Sequence, residues 1–238
     1  MATYVLAHGA WSSAFAWRKM RPLMAAAGHQ LWTPSLTGLG DRSHLAGPDV
    51  DLDTHITDIT NLLHYEDLTD VRLIGHSYGG MVATGAADRV PERIGQVIYL
   101  DAFVPQDGQA LLDLAAPGFR EKVIAETERD GEGWKVKANP LPADTPADEV
   151  DWLTARRHTQ PLRTIATPIR LTGRIDTLPR AYIYCTSPMP GDPFRKFLER
   201  ARRESWQAHE IDATHNPHIT VPETLMRLLT RISGDQAR

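Results

Sequence analysis

Residues 71–88 constrain the fold of this chain more than any other stretch. The first four, Val71-Arg-Leu-Ile74, are typical of a buried strand, and residues 81–88 are rich in small side chains and indicate a helix. Gly75-His-Ser-Tyr-Gly79 joins them, and strand, Gly-x-Ser-x-Gly and helix together form the pattern of a nucleophile elbow. Glycines two positions before and after the serine let strand and helix approach closely. We therefore predict an exposed, nucleophilic Ser77; the alternative is a glycine-rich connection without chemistry.

Composition predicts one soluble globular domain with a substantial core. The 238 residues are 42% hydrophobic and 24% charged, with a formal net charge of −4. No cluster of lysine and arginine indicates a nucleic-acid partner. The single Cys185 excludes an intramolecular disulfide and a cysteine-rich metal site. We see neither a secretory signal nor an apolar run long enough for a membrane, so we expect a cytoplasmic protein.

Hydrophobic patterning predicts alternating strands and helices outside the middle of the chain. Apolar strands between helices are typical of a mostly parallel central sheet with helices on both faces. The predicted strands are residues 4–7, 30–34, 71–74, 97–100, 181–185 and 209–212. The predicted helices are residues 17–27, 53–63, 81–88, 194–208 and 222–232, with open loops at 35–48 and 214–218.

The pattern changes between residues 105 and 168. Residues 111–129 and 148–157 indicate helices, and we find no strand candidate here. We interpret residues 105–168 as a helical cap inserted into an α/β core formed by residues 1–104 and 169–238. The two parts together form one structural domain.

A serine hydroxyl needs a base within hydrogen-bond distance, and the base needs an acid that orients it. For this kind of elbow the order along the chain is Ser, then Asp or Glu, then His. We favour His215 as the base because it lies in a loop between the last strand and the last helix. The alternative is His218, which we expect to pack at the start of that helix.

An oxyanion hole needs two backbone N–H groups that point at the developing negative charge. The residue after the nucleophile supplies one, which is Tyr78 here. The loop after the first strand supplies the other, most simply Ala10 in His8-Gly-Ala-Trp11. We expect His8 and His76 to shape these turns through hydrogen bonds and not to transfer protons.

Several motifs together resemble the α/β-hydrolase superfamily over nearly the whole chain. Within it, the chain is similar to the branch that contains plant methyl-ester esterases, hydroxynitrile lyases and bacterial carboxylesterases, including pyrethroid-hydrolysing ones. The resemblance implies a serine hydrolase without a cofactor, with a helical cap over an apolar pocket. The motifs are His8-Gly-Ala-Trp11, Leu36-Thr-Gly-Leu-Gly40, Gly75-His-Ser-Tyr-Gly-Gly80, Tyr99-Leu-Asp-Ala-Phe103 and Tyr182-Ile-Tyr-Cys-Thr186.

Two positions differ from the lyases of that branch. Those enzymes carry a threonine just after the first histidine and a lysine just after the catalytic one. This chain has Gly9 and Asn216 there, without the hydroxyl and the cation that a cyanohydrin needs. The differences favour ester hydrolysis over lyase activity.

The acid also departs from the resemblance. The esterases of the branch place an aspartate where this chain has Pro188, and the first carboxylate beyond it is Asp192. Asp101, at the end of the strand after the elbow, satisfies the same chain order. We favour Asp101 because orienting an imidazole requires a rigidly held carboxylate. Asp192 is the alternative acid, and Asp176 is discounted because it precedes the late strand.

The hypothesis is a serine carboxylesterase that hydrolyses an uncharged, apolar or aromatic small-molecule ester through an acyl-enzyme, with no cofactor and no metal. The alternatives are hydrolysis of a lactone, thioester, amide or C–C bond, a hydroxynitrile lyase, or a non-catalytic small-molecule receptor on the same fold. The oligomeric state is left open between monomer and homodimer. Candidate pocket residues, each also a candidate for plain core, are Trp11, Phe103, Val104, Leu111 and Trp134.

Overall fold

The computed structural model describes residues 1–187 and 191–234, so Pro188 lies outside the described residues. The strands are β1 Thr3–Ala7, β2 Gln30–Trp32, β3 Val71–His76, β4 Ile94–Leu100, β5 Lys135–Val136, β6 Gln160–Pro161, β7 Arg180–Cys185 and β8 Gln207–Ile211. Six of them form a wholly parallel sheet in the order β2-β1-β3-β4-β7-β8. The other two, β5 and β6, form a separate antiparallel pair.

The helices cover both faces of the sheet, as the sequence predicts. Alternate residues of a strand point to opposite faces. The α-helices are α1 Met20–Ala26, α2 Leu52–Tyr65, α3 Gly79–Arg89, α4 Leu111–Leu114, α5 Phe119–Asp130, α6 Ala147–Thr154, α7 Leu162–Ala166, α8 Arg195–Arg203, α9 Pro217–Thr220 and α10 Pro222–Ile232. In β1, Tyr4 and Leu6 pack with α1 and α10, whereas Val5 and Ala7 pack with α2 and α3.

We call residues 105–168 the cap segment; it contains α4 to α7 and the β5–β6 pair. Two expectations for it were wrong. The predicted helix over residues 111–129 is two helices, because the chain breaks at Pro117-Gly118, where Gly118 has a φ of 78°. The expected absence of strands is corrected by β5 and β6, whose two residues each are too few to show an alternating pattern.

Elsewhere the differences concern the ends of elements. The helix predicted over residues 194–208 stops at Arg203, because Ser205 takes a φ of 57° and β8 already begins at Gln207. The predicted loops also contain short helices: a 3₁₀ helix, Gly40–Leu45, and α9. The helix predicted from Trp17 divides into a 3₁₀ turn, Ala14–Trp17, and α1.

Charged and polar contacts fasten the cap segment to the rest of the molecule. Glu149 of α6 is only 4% exposed, and its carboxylate accepts hydrogen bonds from Arg18 at 2.9 Å and pairs with Lys19 at 2.9 Å. Thr214, next to His215, donates to Asp144 at 2.6 Å. Among the helices of the described residues, none is both long and apolar enough to cross a bilayer.

Candidate active site

The serine of the elbow sits in a strained turn between β3 and α3. Ser77 has a φ of 55°, in the left-handed region that non-glycine residues seldom adopt. A Cβ at Gly79 would overlap the carbonyl oxygen of Ala7, and one at Gly75 would lie 2.8 Å from the carbonyl oxygen of Gly79. Only glycine allows this close approach of strand and helix, which is the physical basis of the Gly-x-Ser-x-Gly pattern.

Ser77, His215 and Asp101 form one continuous chain of hydrogen bonds. The Ser77 hydroxyl lies 2.9 Å from Nε2 of His215, and Nδ1 of His215 lies 2.7 Å from Oδ2 of Asp101. A carboxylate only accepts, so Nδ1 carries the proton and Nε2 is free to accept from the serine. This is the tautomer that a general base requires.

The surrounding structure holds both His215 and Asp101 in place. Asp101 follows β4 with a φ of 41°, and its Oδ1 accepts the backbone N–H of Cys185 at 3.2 Å. The His215 ring stacks on Phe194, with centroids 4.9 Å apart and planes 10° apart. Nε2 of His76 donates to the carbonyl oxygen of His215 at 2.8 Å. His215 and Asp101 therefore have little freedom to turn away from Ser77.

The alternative acid, Asp192, has other partners. Its Oδ2 accepts the hydroxyl of Tyr184 at 2.8 Å, and its Oδ1 accepts the N–H of Phe194 at 3.2 Å. It also pairs with Arg195 at 3.4 Å. The carboxylate thus holds the chain as it enters α8, and it forms no hydrogen bond or ion pair with His215.

The other histidines near the site are buried and neutral. His218 stacks on Trp17 with centroids 4.5 Å apart, and burial together with nearby His215 lowers its pKa to about 3. His8 donates from Nδ1 to the carbonyl oxygen of Gly9 and accepts the N–H of Leu36 at Nε2. Burial lowers the pKa of His8 to about 4. These contacts fit a structural role for His8, and His218 lines the cavity without a hydrogen bond to Ser77.

Two unused N–H groups border the serine. Those of Ala10 and Tyr78 donate to no acceptor in the part of the chain that the structure describes. Both residues line the cavity that contains Ser77 and His215. Two unpaired backbone N–H groups that line one cavity suit a ligand that carries negative charge.

A cavity of about 330 Å³ opens above Ser77. Trp11, Phe103 and Leu111 line it, as the sequence predicts. Aromatic and aliphatic side chains make up most of its wall, with two cations, Lys122 and Arg157, and no carboxylate among the lining residues that the structure describes. Further lining residues, which periodicity could not identify, are Phe15, Phe119, Leu141, Leu153, Ile165, Phe194 and Ile219.

Val104 and Trp134, also expected in the pocket, do not line it. Val104 is 3% exposed and faces a separate depression beside Thr84 and Tyr99, because the chain has already turned away from the strand end. Trp134 precedes β5, and the centroid of its half-buried ring lies 5.1 Å from the Lys135 ammonium.

Sequence comparison adds to this geometry. A profile of the Alpha/beta hydrolase family matches residues 4–228. The chain belongs to this family. Across residues 1–187 and 191–234 of this α/β hydrolase, no group of three or more His, Cys, Asp or Glu side chains is placed to hold a metal ion.

The relatives of this α/β hydrolase include enzymes that act on esters. It is 36% identical to a "Carbendazim hydrolyzing esterase" of a Nocardioides strain, over 98% of this chain and 100% of the relative. It is 23% identical to a "Pyrethroid hydrolase" of Sphingobium wenxiniae, over 93% of this chain and 84% of the relative. These relatives confirm the expectation of a carboxylic ester hydrolase in this superfamily.

A solved structure shows the same fold. An extracellular α/β-hydrolase from a Paenibacillus species superposes with a TM-score of 0.84 at 23% identity, covering 98% of this chain and 99% of that chain. The expected α/β-hydrolase fold, with its parallel sheet and helices on both faces, is therefore confirmed.

Proposed function

We propose that this α/β-hydrolase esterase is a serine carboxylesterase that works through an acyl-enzyme. The observation that carries the proposal is the hydrogen-bonded chain Ser77–His215–Asp101 at the floor of a mostly apolar cavity. Such a chain provides a nucleophile, a base at hydrogen-bond distance and a carboxylate that orients the base.

The reaction begins when Nε2 of His215 takes the proton of the Ser77 hydroxyl and Oγ attacks the ester carbonyl. The N–H groups of Ala10 and Tyr78 stabilise the negative charge that develops on the carbonyl oxygen. His215 then gives its proton to the leaving alcohol. A water molecule repeats the sequence on the acyl-enzyme, releases the acid and restores Ser77.

The cavity wall supports an uncharged ester with an apolar or aromatic part. A volume of about 330 Å³ and aromatic side chains such as Phe15, Phe119 and Phe194 suit a small aromatic molecule. Lys122 and Arg157 can donate hydrogen bonds to a neutral acceptor on the same molecule. The name of the 36%-identical relative makes carbendazim a rational first substrate to test beside simple esters.

The same geometry argues against the lyase alternative. A Cβ at Gly9 would lie 3.1 Å from Nδ1 of His76 and 3.2 Å from Cβ of Ser77. A threonine side chain, which the lyases of the branch carry at this position, would therefore crowd the elbow. Asn216 follows His215 and supplies no cation.

The test compares hydrolysis of p-nitrophenyl acetate by the wild type and by Ser77→Ala. We expect kcat to fall by at least about 10³-fold, because the nucleophile is lost. Ser43→Ala is the matched control, since Ser43 lies outside the cavity and its hydroxyl makes no hydrogen bond among the described residues. The proposal would be contradicted if the wild type turned over neither p-nitrophenyl esters nor carbendazim, or if wild type and Ser77→Ala turned over equally. Either result would favour a receptor.

A further inference from the structure

Trp11 takes an unusual backbone conformation immediately after Ala10. Its φ is 55°, in the left-handed region that is rare for a bulky residue. Such a conformation is energetically unfavourable and persists only where neighbouring groups enforce it. The loop that carries the N–H of Ala10 is therefore held by contacts from outside the loop.

Those contacts come from the cap segment. The backbone N–H of Trp11 donates to Oε1 of Gln160 at 3.0 Å. The indole N–H of Trp11 donates to the carbonyl oxygen of Val136 at 3.0 Å. Val136 and Gln160 face each other in the β5–β6 pair, so this small sheet forms two hydrogen bonds with the loop.

Hydrogen bonds orient the side-chain amide of Gln160 so that its oxygen faces Trp11. The residue is fully buried, and its Nε2 donates to the hydroxyl of Thr164 at 2.7 Å. That hydroxyl in turn donates to the carbonyl oxygen of Pro161 at 2.7 Å. A flipped amide would set an NH₂ group against the N–H of Trp11 and leave both without an acceptor.

We propose that Gln160 is a positioning residue for the oxyanion hole. By accepting the N–H of Trp11, it fixes the peptide plane between Ala10 and Trp11, and this keeps the neighbouring N–H of Ala10 pointed into the cavity. The inference rests on the proposed function, in which Ala10 and Tyr78 stabilise the oxyanion. It assigns to the cap segment a part in the chemical step besides covering the pocket.

The geometry has a kinetic consequence. An N–H that stabilises only the transition state affects kcat, whereas a wall residue affects binding of the substrate as well. Loss of one oxyanion donor costs about 10²–10³ in kcat in other hydrolases. A donor that is misdirected but still present costs less, so we expect a loss of about 10- to 100-fold when Gln160 can no longer accept.

The experiment uses Gln160→Met, which keeps the side-chain length and removes the acceptor. We expect kcat for p-nitrophenyl acetate to fall by about 10- to 100-fold with KM within about twofold. Affinity for a boronic acid, which forms a tetrahedral adduct on the serine, should fall by a similar factor. Gln160→Glu retains an oxygen for Trp11 in either protonation state, and it should therefore keep most of kcat.

Gln96→Met is the matched control, because Gln96 is also buried, at 5% exposure, but lies in β4 away from the cavity. It should leave kcat and boronic acid affinity near wild type. Unchanged kcat in Gln160→Met, or a loss confined to KM or to melting temperature, would overturn the inference. So would a Gln160→Glu variant as impaired as Gln160→Met.

A second measurement needs no variant and serves if Gln160→Met does not fold. In amide hydrogen exchange of the wild type, the N–H of Trp11 should be protected in the free enzyme, and that of Ala10 only after boronic acid binds. A Trp11 N–H that exchanges as fast as that of Ala10 would overturn the inference. A wild type with no esterase activity would overturn the proposed function as well, whereas an active wild type with an unimpaired Gln160→Met overturns this inference alone.

Discussion

Three residues with left-handed backbone stand at the ends of three neighbouring strands. Trp11 follows β1, Ser77 follows β3 and Asp101 follows β4, with φ values of 55°, 55° and 41°. The carboxyl ends of parallel strands meet at one edge of a sheet, which is where ligands bind in open α/β folds. These three strained conformations therefore lie where the proposed chemistry takes place, as is common at functional sites.

Two substitutions, Asp101→Asn and Asp192→Asn, distinguish the two candidate acids. Asp101→Asn should lower kcat for p-nitrophenyl acetate by about 10⁴-fold, because an amide no longer stabilises the charged imidazole or its tautomer. Asp192→Asn is the matched control, and it should keep near wild-type turnover because Asp192 binds Tyr184 and the start of α8. Loss of turnover in Asp192→Asn with retention in Asp101→Asn would exchange the two assignments.

The sequence indicates some residues of the proposed site and not others, and the reason is physical. A motif that a steric constraint imposes indicates Ser77. The positions of Asp101 at a strand end and of His215 in a loop indicate these two residues. Gln160 carries no such mark, because its role depends on a hydrogen bond to Trp11, 149 residues away in sequence. Val104 and Trp134 do not line the cavity, because tertiary packing that the sequence pattern does not specify sets the direction of each side chain.

At the scale of elements, α3 is the helix on which the site depends most. Every residue from Gly79 to Asp88 is buried, and its small side chains let the helix lie directly against β1 and β3. The close approach puts the first turn of α3 immediately behind Ser77. This part of the fold was predictable, because small residues at these positions leave few other arrangements.

A pair of glycine substitutions tests the close approach of α3 to β1. Gly79→Ala should destabilise the protein by about 1–3 kcal/mol, because the added Cβ would overlap the backbone of β1. Gly47→Ala makes the same chemical change where a Cβ meets nothing within 4 Å, so it should stay within about 0.5 kcal/mol of wild type. Urea unfolding measures both, and equal stability of the two variants would contradict the packing argument.

The cap segment was less predictable than the sheet. Its elements are short. Two-residue strands such as β5 and β6 form because they pair with each other, and they are too short to show a hydrophobic pattern of their own. The break at Pro117-Gly118 carried a local signal, since proline and glycine both interrupt helices. The end of α8 carried a weaker one, because the left-handed residue there is Ser205 and not glycine.

At the scale of the whole molecule, buried neutral histidines link stability to pH. Burial lowers the pKa of His8 and His55 to about 4 and, with nearby His215, that of His218 to about 3. The unfolded chain keeps pKa values near about 6.5, so it binds more protons than the folded state below that pH. Stability is therefore fully present above about pH 6.5 and is lost as the pH falls towards 4.

The prediction is a fall in the free energy of unfolding between about pH 7 and 4.5, measured in urea. His218→Phe keeps an aromatic ring for stacking on Trp17 and removes one ionisable group, so it should reduce the pH dependence. His64→Gln is the control, because His64 is exposed. The linkage would be refuted by a pH dependence equal in wild type and His218→Phe.

The distances along the chain between the three hydrogen-bonded residues have a consequence for how activity arises during folding. His215 lies 138 residues from Ser77 and 114 from Asp101, and it follows the edge strand β8. A chain still emerging from the ribosome lacks its base until β8 and the loop after it have been made and have docked. In refolding from denaturant, ester cleavage should therefore begin only when this long-range contact has formed. The helix signal needs only local structure, so it should appear earlier.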